Sequence, residues 1–115
     1  MITLIIDAAN EKIFLMIIKN KNIYKASHDN SKTNFEKLAS LINGFLNSKG
    51  FKIGDISKLY VNRGPGSFAG IRNSLATVKA IYVAKKIDFY CFSFEDFDKN
   101  DNYNYENVPD RKSVV

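Results

Sequence analysis

The order of predicted elements, βββαβαβ, makes this an α/β chain with one mixed sheet and two main helices. Three observations lead there. The run Ile2 to Ile6 is short and wholly apolar, as in a strand buried on both faces. Two further apolar runs, Ile13 to Ile18 and Ile23 to Ala26, are split only by Lys19-Asn20-Lys21-Asn22, a hairpin signal. After them, helical spacing alternates with strand-like runs, which implies right-handed βαβ crossovers.

Each element has a local cause. Asparagine tolerates the left-handed backbone of a tight turn, so the first hairpin is antiparallel. Thr33-Asn34-Phe35-Glu36 has the spacing of a capping box, in which hydroxyl and carboxylate each satisfy a free backbone N–H. Phe35, Leu38, Ala39, Ile42, Phe45 and Leu46 then recur at helical spacing, predicting helix one. Gly50 suits a left-handed helix end, with Lys49 beside the negative terminus. Ile56 to Val61 reads as the fourth strand, Ser67 to Lys85 as helix two, and Asp88 to Phe94 as the fifth strand. Past Glu95 the sequence turns to Asp, Asn, Lys and Tyr without periodicity. The expected division is a folded domain over 1–97 and a polar, flexible tail over 98–115.

Composition narrows the function. A chain of 115 residues forms one domain or a piece of something larger. Its single cysteine, Cys91, excludes an internal disulfide and suits a reducing, cytoplasmic setting; in the run DFYCF it reads as a buried, inert thiol. The start MITLIID has no basic leader, and the longest apolar run is too short to span a bilayer. A net charge of +5 favours polyanions, but the lysines are scattered, with no arginine-rich block to mark specific RNA binding.

The stretch Gly64-Pro65-Gly66-Ser67-Phe68-Ala69-Gly70, between strand and helix, raises the question of a phosphate cradle. A P-loop needs Lys and Ser or Thr after its last glycine, and Gly70 is followed by Ile71-Arg72. A dinucleotide fingerprint fits Gly64, Gly66 and Ala69, yet on the fourth strand instead of at the opening of a βαβ unit. RNase H-like folds, including the halves of actin-like ATPases, share this element order. Their nucleases gather carboxylates at the ends of central strands to hold metal ions. Here Asp7 ends the first strand and Glu36 lies in helix one, but the fourth strand ends in Asn62-Arg63. After the first strand, Ala8-Ala9-Asn10-Glu11 provides no glycine turn for phosphate, and Glu11 would repel one. His28 is the single histidine and reads as a surface residue, so no Ser-His or Cys-His pair is available beyond it. The inventory therefore names no catalytic, metal-binding or cofactor-binding residue. On the structural reading, the glycines shape the turn, Ser67 caps helix two, Gly70 allows close approach, and Arg72 reaches across to a carboxylate.

Helix two carries two apolar stripes at about 100° per residue. Phe68, Ile71, Leu75, Val78 and Tyr82 form one; Ala69, Ala76, Ala80, Val83 and Ala84 form the other, divided by Arg72 and Lys79. One must cover the sheet. The small-residue stripe suits another helix, either helix one of this chain or an external partner. It would bury roughly 300 Å², about 7 kcal/mol gross at ~25 cal/mol per Å². Association costs on the order of 4–15 kcal/mol, so a partner would need both helices.

The nine residues Gly64 to Arg72 closely resemble the GPGSFTGLR signature of the bacterial TsaB (YeaZ) family. The resemblance spans about Met1 to Phe97, the N-terminal half of a usual member. It departs from the pattern at Ala69, in place of threonine, and at Asn73-Ser74, in place of Ile-Gly. Family members resemble inactive relatives of actin-like ATPases that support synthesis of threonylcarbamoyladenosine in tRNA. The resemblance implies a non-catalytic scaffold that binds a TsaD-like transferase, with a TsaE-like ATPase joining the assembly. Without a partner the chain could also self-associate as a homodimer through the same helices, and tRNA contact is expected to be at most indirect. Carried onto this sequence, Phe35, Leu38 and Ile42 of helix one, with Ala69, Arg72, Ala76, Ala80 and Val83 of helix two, would meet the partner. Gly64, Pro65, Gly66, Ser67, Phe68 and Gly70 would shape the signature turn. The alternative is a small nucleotide-binding enzyme using the Gly64–Gly66 turn.

Overall fold

In the computed structural model, residues 1–93 and 105–110 are described. The strands are β1 (Ile2–Asp7), β2 (Lys12–Lys19), β3 (Asn22–Asp29), β4 (Lys58–Asn62) and β5 (Phe89–Phe92). They form one sheet in the order β3-β2-β1-β4-β5. β1 pairs antiparallel with β2 and parallel with β4, and β5 adds parallel to β4. The helices are α1 (Lys32–Glu36), α2 (Leu38–Ser48) and α3 (Phe68–Lys85). A 3₁₀ turn, Ile53–Asp55, precedes β4, and a second, Tyr105–Asp110, lies near the chain end.

Central placement explains the apolar character of β1. Leu4 and Ile6 enter a cluster with Ile13, Leu15, Ile17, Leu59 and Val61, beneath Leu38, Ile42 and Leu46 of α2 and Val78 of α3. Ile5 points the other way, to Met16, Tyr60, Phe92 and Val108. The alternation follows from the two-residue period of a strand. The hairpin joins Lys19 to Asn22 with Asn20 left-handed at φ 56°, as its side chain allows. β3 is one edge of the sheet: Asn22, Lys25 and Ser27 are exposed along it, and the lysine discourages edge-to-edge pairing.

Helix one differs from the expected single helix. It breaks at Lys37 (φ −112°, ψ 27°) into α1 and α2. The buried stripe Leu38, Ile42, Phe45, Leu46 belongs wholly to α2, which fixes that helix on the sheet, whereas α1 packs against α3 and α2. The cap also moves. The Asn34 amide donates to Ser31 Oγ at 3.2 Å, so Ser31 takes the capping place assigned to Thr33. The other end is as expected: Gly50 sits at φ +82°, with its amide on Asn47 O and that of Phe51 on Leu46 O, the paired bonds of a Schellman motif.

α3 lies on the sheet through Gly70, Ser74 and Val78, its buried residues, one helical turn apart. Ile71, Leu75 and Ile81 flank them half-buried. Of the stripe that begins at Phe68, the middle faces inward, but Phe68 is 79% and Tyr82 46% exposed. The small line fits because Ser74 Oγ donates back to Ile71 O at 3.0 Å and so arrives satisfied. Ser67 caps the start, its Oγ accepting the Gly70 N–H at 3.2 Å. Ser67→Ala should cost about 1 kcal/mol in urea unfolding. No described helix is long and apolar enough to cross a membrane.

Candidate functional site

The glycine turn is built against the exit of β1. Gly64 has φ +104°, and a Cβ there would come 2.7 Å from Ile71 Cδ1. At Gly66 a Cβ would stand 2.3 Å from the carbonyl oxygen of Ala9. The Ser67 amide donates to that same oxygen at 2.9 Å. The Gly64 amide donates to Asn62 Oδ1 at 2.8 Å, while Gly70 and Ile71 amides go to Ser67 Oγ and O. A phosphate cradle needs free amides facing open space. Here the amides of Gly64, Ser67, Gly70 and Ile71 are committed, and Ala9 fills the space above Gly66.

Asn62 is engaged through Oδ1 alone, its Nδ2 being buried with no hydrogen-bond partner among the described residues. Fully buried at the end of β4, it caps the bend as an Asx-type turn. The spacing Asn62-Arg63-Gly64 was a legible signal for this, which a search for carboxylates overlooks. Arg63 is exposed and is tied by its amide to Phe92 O at 2.7 Å. Arg72 is exposed too, and no carboxylate pairs with it among the described residues; its expected reach across the turn is not made.

At the end of β1, Asp7 is fully buried. Its carboxylate accepts from the Ala9 amide at 2.9 Å, Asn10 Nδ2 at 3.0 Å and the Tyr105 hydroxyl at 2.5 Å. Burial first, then the charge of Asp7, holds the Tyr105 phenol well above its ordinary range. Glu36 lies exposed on α1, where it lines a groove between the helices instead of joining Asp7. No cluster of three or more metal-ligating side chains occurs among the described residues. Cys91 is half-buried against the core, and burial pushes its thiol up, away from the reactive thiolate. His28, half-buried on β3, pairs across to Ile13.

The open feature is a groove of about 460 Å³ between α2 and α3. Leu38 and Ile42, each 1% exposed, belong to the core and form its floor. Ala39 and Asn43 line it from α2; Ala76, Thr77, Ala80, Ile81 and Ala84 line it from α3. Glu36 and Lys85 also border it, one of each charge. Ala76, Ala80 and Ala84 are exposed, so α2 does not cover the small-residue stripe. Ala69 and Arg72 are exposed nearer the start of α3, and Val83, 67% exposed, stands toward its end. Phe35 falls in α1, and its side chain lies outside the described ones. Periodicity marked both stripes but not the separation of the two helices.

No protein-family model matches the chain. Over 92 residues it is 27% identical to the tRNA threonylcarbamoyladenosine biosynthesis protein TsaB of Buchnera aphidicola subsp. Schizaphis graminum (strain Sg), a match covering 80% of this chain and 44% of that protein. YeaZ from Pseudomonas aeruginosa shares the fold with a TM-score of 0.71 at 17% identity, over 80% of this chain and 42% of that one. T. thermophilus RuvC, solved in complex with a Holliday junction substrate, gives 0.58 at 9% identity, over 84% and 66%. The fold is RNase H-like. The chain spans less than half the length of the TsaB and YeaZ proteins it matches.

Proposed function

We propose, from the TsaB/YeaZ relationship that the signature and the sequence match support, that this chain is a non-catalytic scaffold in tRNA threonylcarbamoyladenosine synthesis. It acts in the cytoplasm by binding and stabilising a TsaD-like transferase, with a TsaE-like ATPase joining through the complex and tRNA contacted at most indirectly. The observation that carries the reading is the uncovered alanine wall of α3 facing α2 across an apolar groove. Alanines let a partner helix approach closely, and the mixed-charge border gives a polar rim to an apolar centre. The occupied amides of Gly64, Ser67 and Gly70, with the Ala9 carbonyl closing over Gly66, favour a structural role for the signature over a phosphate-binding one.

The test is direct association. Mixed at micromolar concentration with the TsaD-type transferase of its own organism, the chain should co-elute as a complex on a sizing column. Two separate peaks at that concentration would remove the proposal. Calorimetry addresses the nucleotide-binding alternative: ATP, GTP and NAD should each give no heat of binding. A saturable heat with any of them would favour the enzyme reading instead.

A further inference from the structure

We infer that the turn Tyr105–Asp110 is an intramolecular plug over the carboxyl end of β1, locked by the Tyr105 hydroxyl on Asp7. In open α/β sheets, ligands bind beyond the carboxyl ends of the parallel strands, where loops leave a crevice. Here that end of β1 is occupied by the chain itself.

The plug has an apolar and a polar half. Val108, 1% exposed, completes the cluster of Ile5, Met16, Tyr60 and Phe92 on the sheet face away from the helices. The Tyr105 ring stacks on Phe14, with centroids 4.5 Å apart and planes at 22°. Phe92 meets it edge-on at 6.3 Å. Aromatic pairs in these arrangements add to plain burial. The ring so placed carries its hydroxyl to Asp7 Oδ2 at 2.5 Å, across 98 residues of chain.

The polar half explains how Asp7 tolerates complete burial. A buried carboxylate must find donors or lose its charge. Ala9 and Asn10 supply two from the adjoining loop, and Tyr105 supplies the third. The raised phenol keeps its proton through the physiological range and so stays a donor to Asp7. A solute reaches the Asp7 carboxylate only when the plug lifts. For the same reason, the sheet face holding Phe14, Tyr60 and Phe92 is closed to other surfaces while the plug is seated.

Carbodiimide coupling to an amine, mapped by peptide mass spectrometry on the full chain, tests this. Asp55 and Asp88, both exposed, are internal references. Asp7 should label at least tenfold slower than either. Tyr105→Phe keeps the ring and removes the lock, and should raise the Asp7 rate about tenfold, the size of one lost charge-assisted hydrogen bond. Val108→Ser loosens the apolar half without touching Asp7 and should act in the same direction. The references should keep their rates in both variants. Asp7 labelling as fast as Asp55 in the unaltered chain would overturn the plug. So would an unchanged Asp7 rate in both variants.

Discussion

Replacing Gly66 by alanine should destabilise the fold by about 3 kcal/mol, lowering the urea midpoint by on the order of 2 M. The added Cβ would lie 2.3 Å from Ala9 O, 2.9 Å from Ala9 Cβ and 3.0 Å from Ala9 C. Two of these are backbone atoms, and the nearest also accepts the Ser67 amide. Relief requires moving the exit of β1, next to buried Asp7, or withdrawing the turn and breaking that hydrogen bond. Gly64→Ala is a useful contrast. Its Cβ would meet Ile71 Cδ1, the end of a flexible side chain, so steric cost is small and the φ of +104° sets the effect. A left-handed backbone with a side chain costs roughly 1–2 kcal/mol. Should Gly66→Ala unfold within ~0.5 kcal/mol of the unaltered chain, the turn does not press on Ala9 and the structural reading of the signature fails.

The second large effect concerns association. Ala80→Arg, or Ala76→Arg, should weaken binding to a TsaD-type transferase at least tenfold while leaving the urea midpoint nearly unchanged. Both alanines are exposed walls of the groove, so a long charged side chain is tolerated in the free protein. In a complex it would occupy the space of the incoming helix and place a charge in an apolar centre. Interface residues of this kind cost on the order of 2 kcal/mol or more when blocked. Val78→Ala supplies the control for stability: Val78 is fully buried, and its truncation should lower the midpoint by about 1–3 kcal/mol equivalent. If the arginine variants bind as well as the unaltered chain, the groove is not where the partner docks.

Much of the fold was legible because its causes are local. The Asn20 turn, the Gly50 helix end and the Ser67 cap each rest on the backbone preferences of one residue. The strand character of β1 rests on an unbroken apolar run. The expectations that shifted are those where local signals compete. Thr33 and Ser31 are both of a capping type, and it is Ser31 Oγ that accepts the Asn34 amide. On α3, periodicity marked two apolar stripes and left open which of them meets the sheet. The contact is made by Gly70, Ser74 and Val78, a line that includes one member of the first stripe and is narrow enough to let the helix lie close.

By itself the sequence determined the element order, the mixed sheet, the signature turn and the surplus of apolar surface on the helices. These follow from periodicity and from residues whose conformational preferences act within a few positions. Tertiary structure alone decided that the alanine stripe faces open space, that Gly66 rests on Ala9, and that Tyr105 closes over Asp7. The last two are contacts between segments far apart in the chain, and the first is a contact that α2 does not make. The energy of such a contact depends on shape and donor geometry at the meeting point, and neither segment carries that information separately.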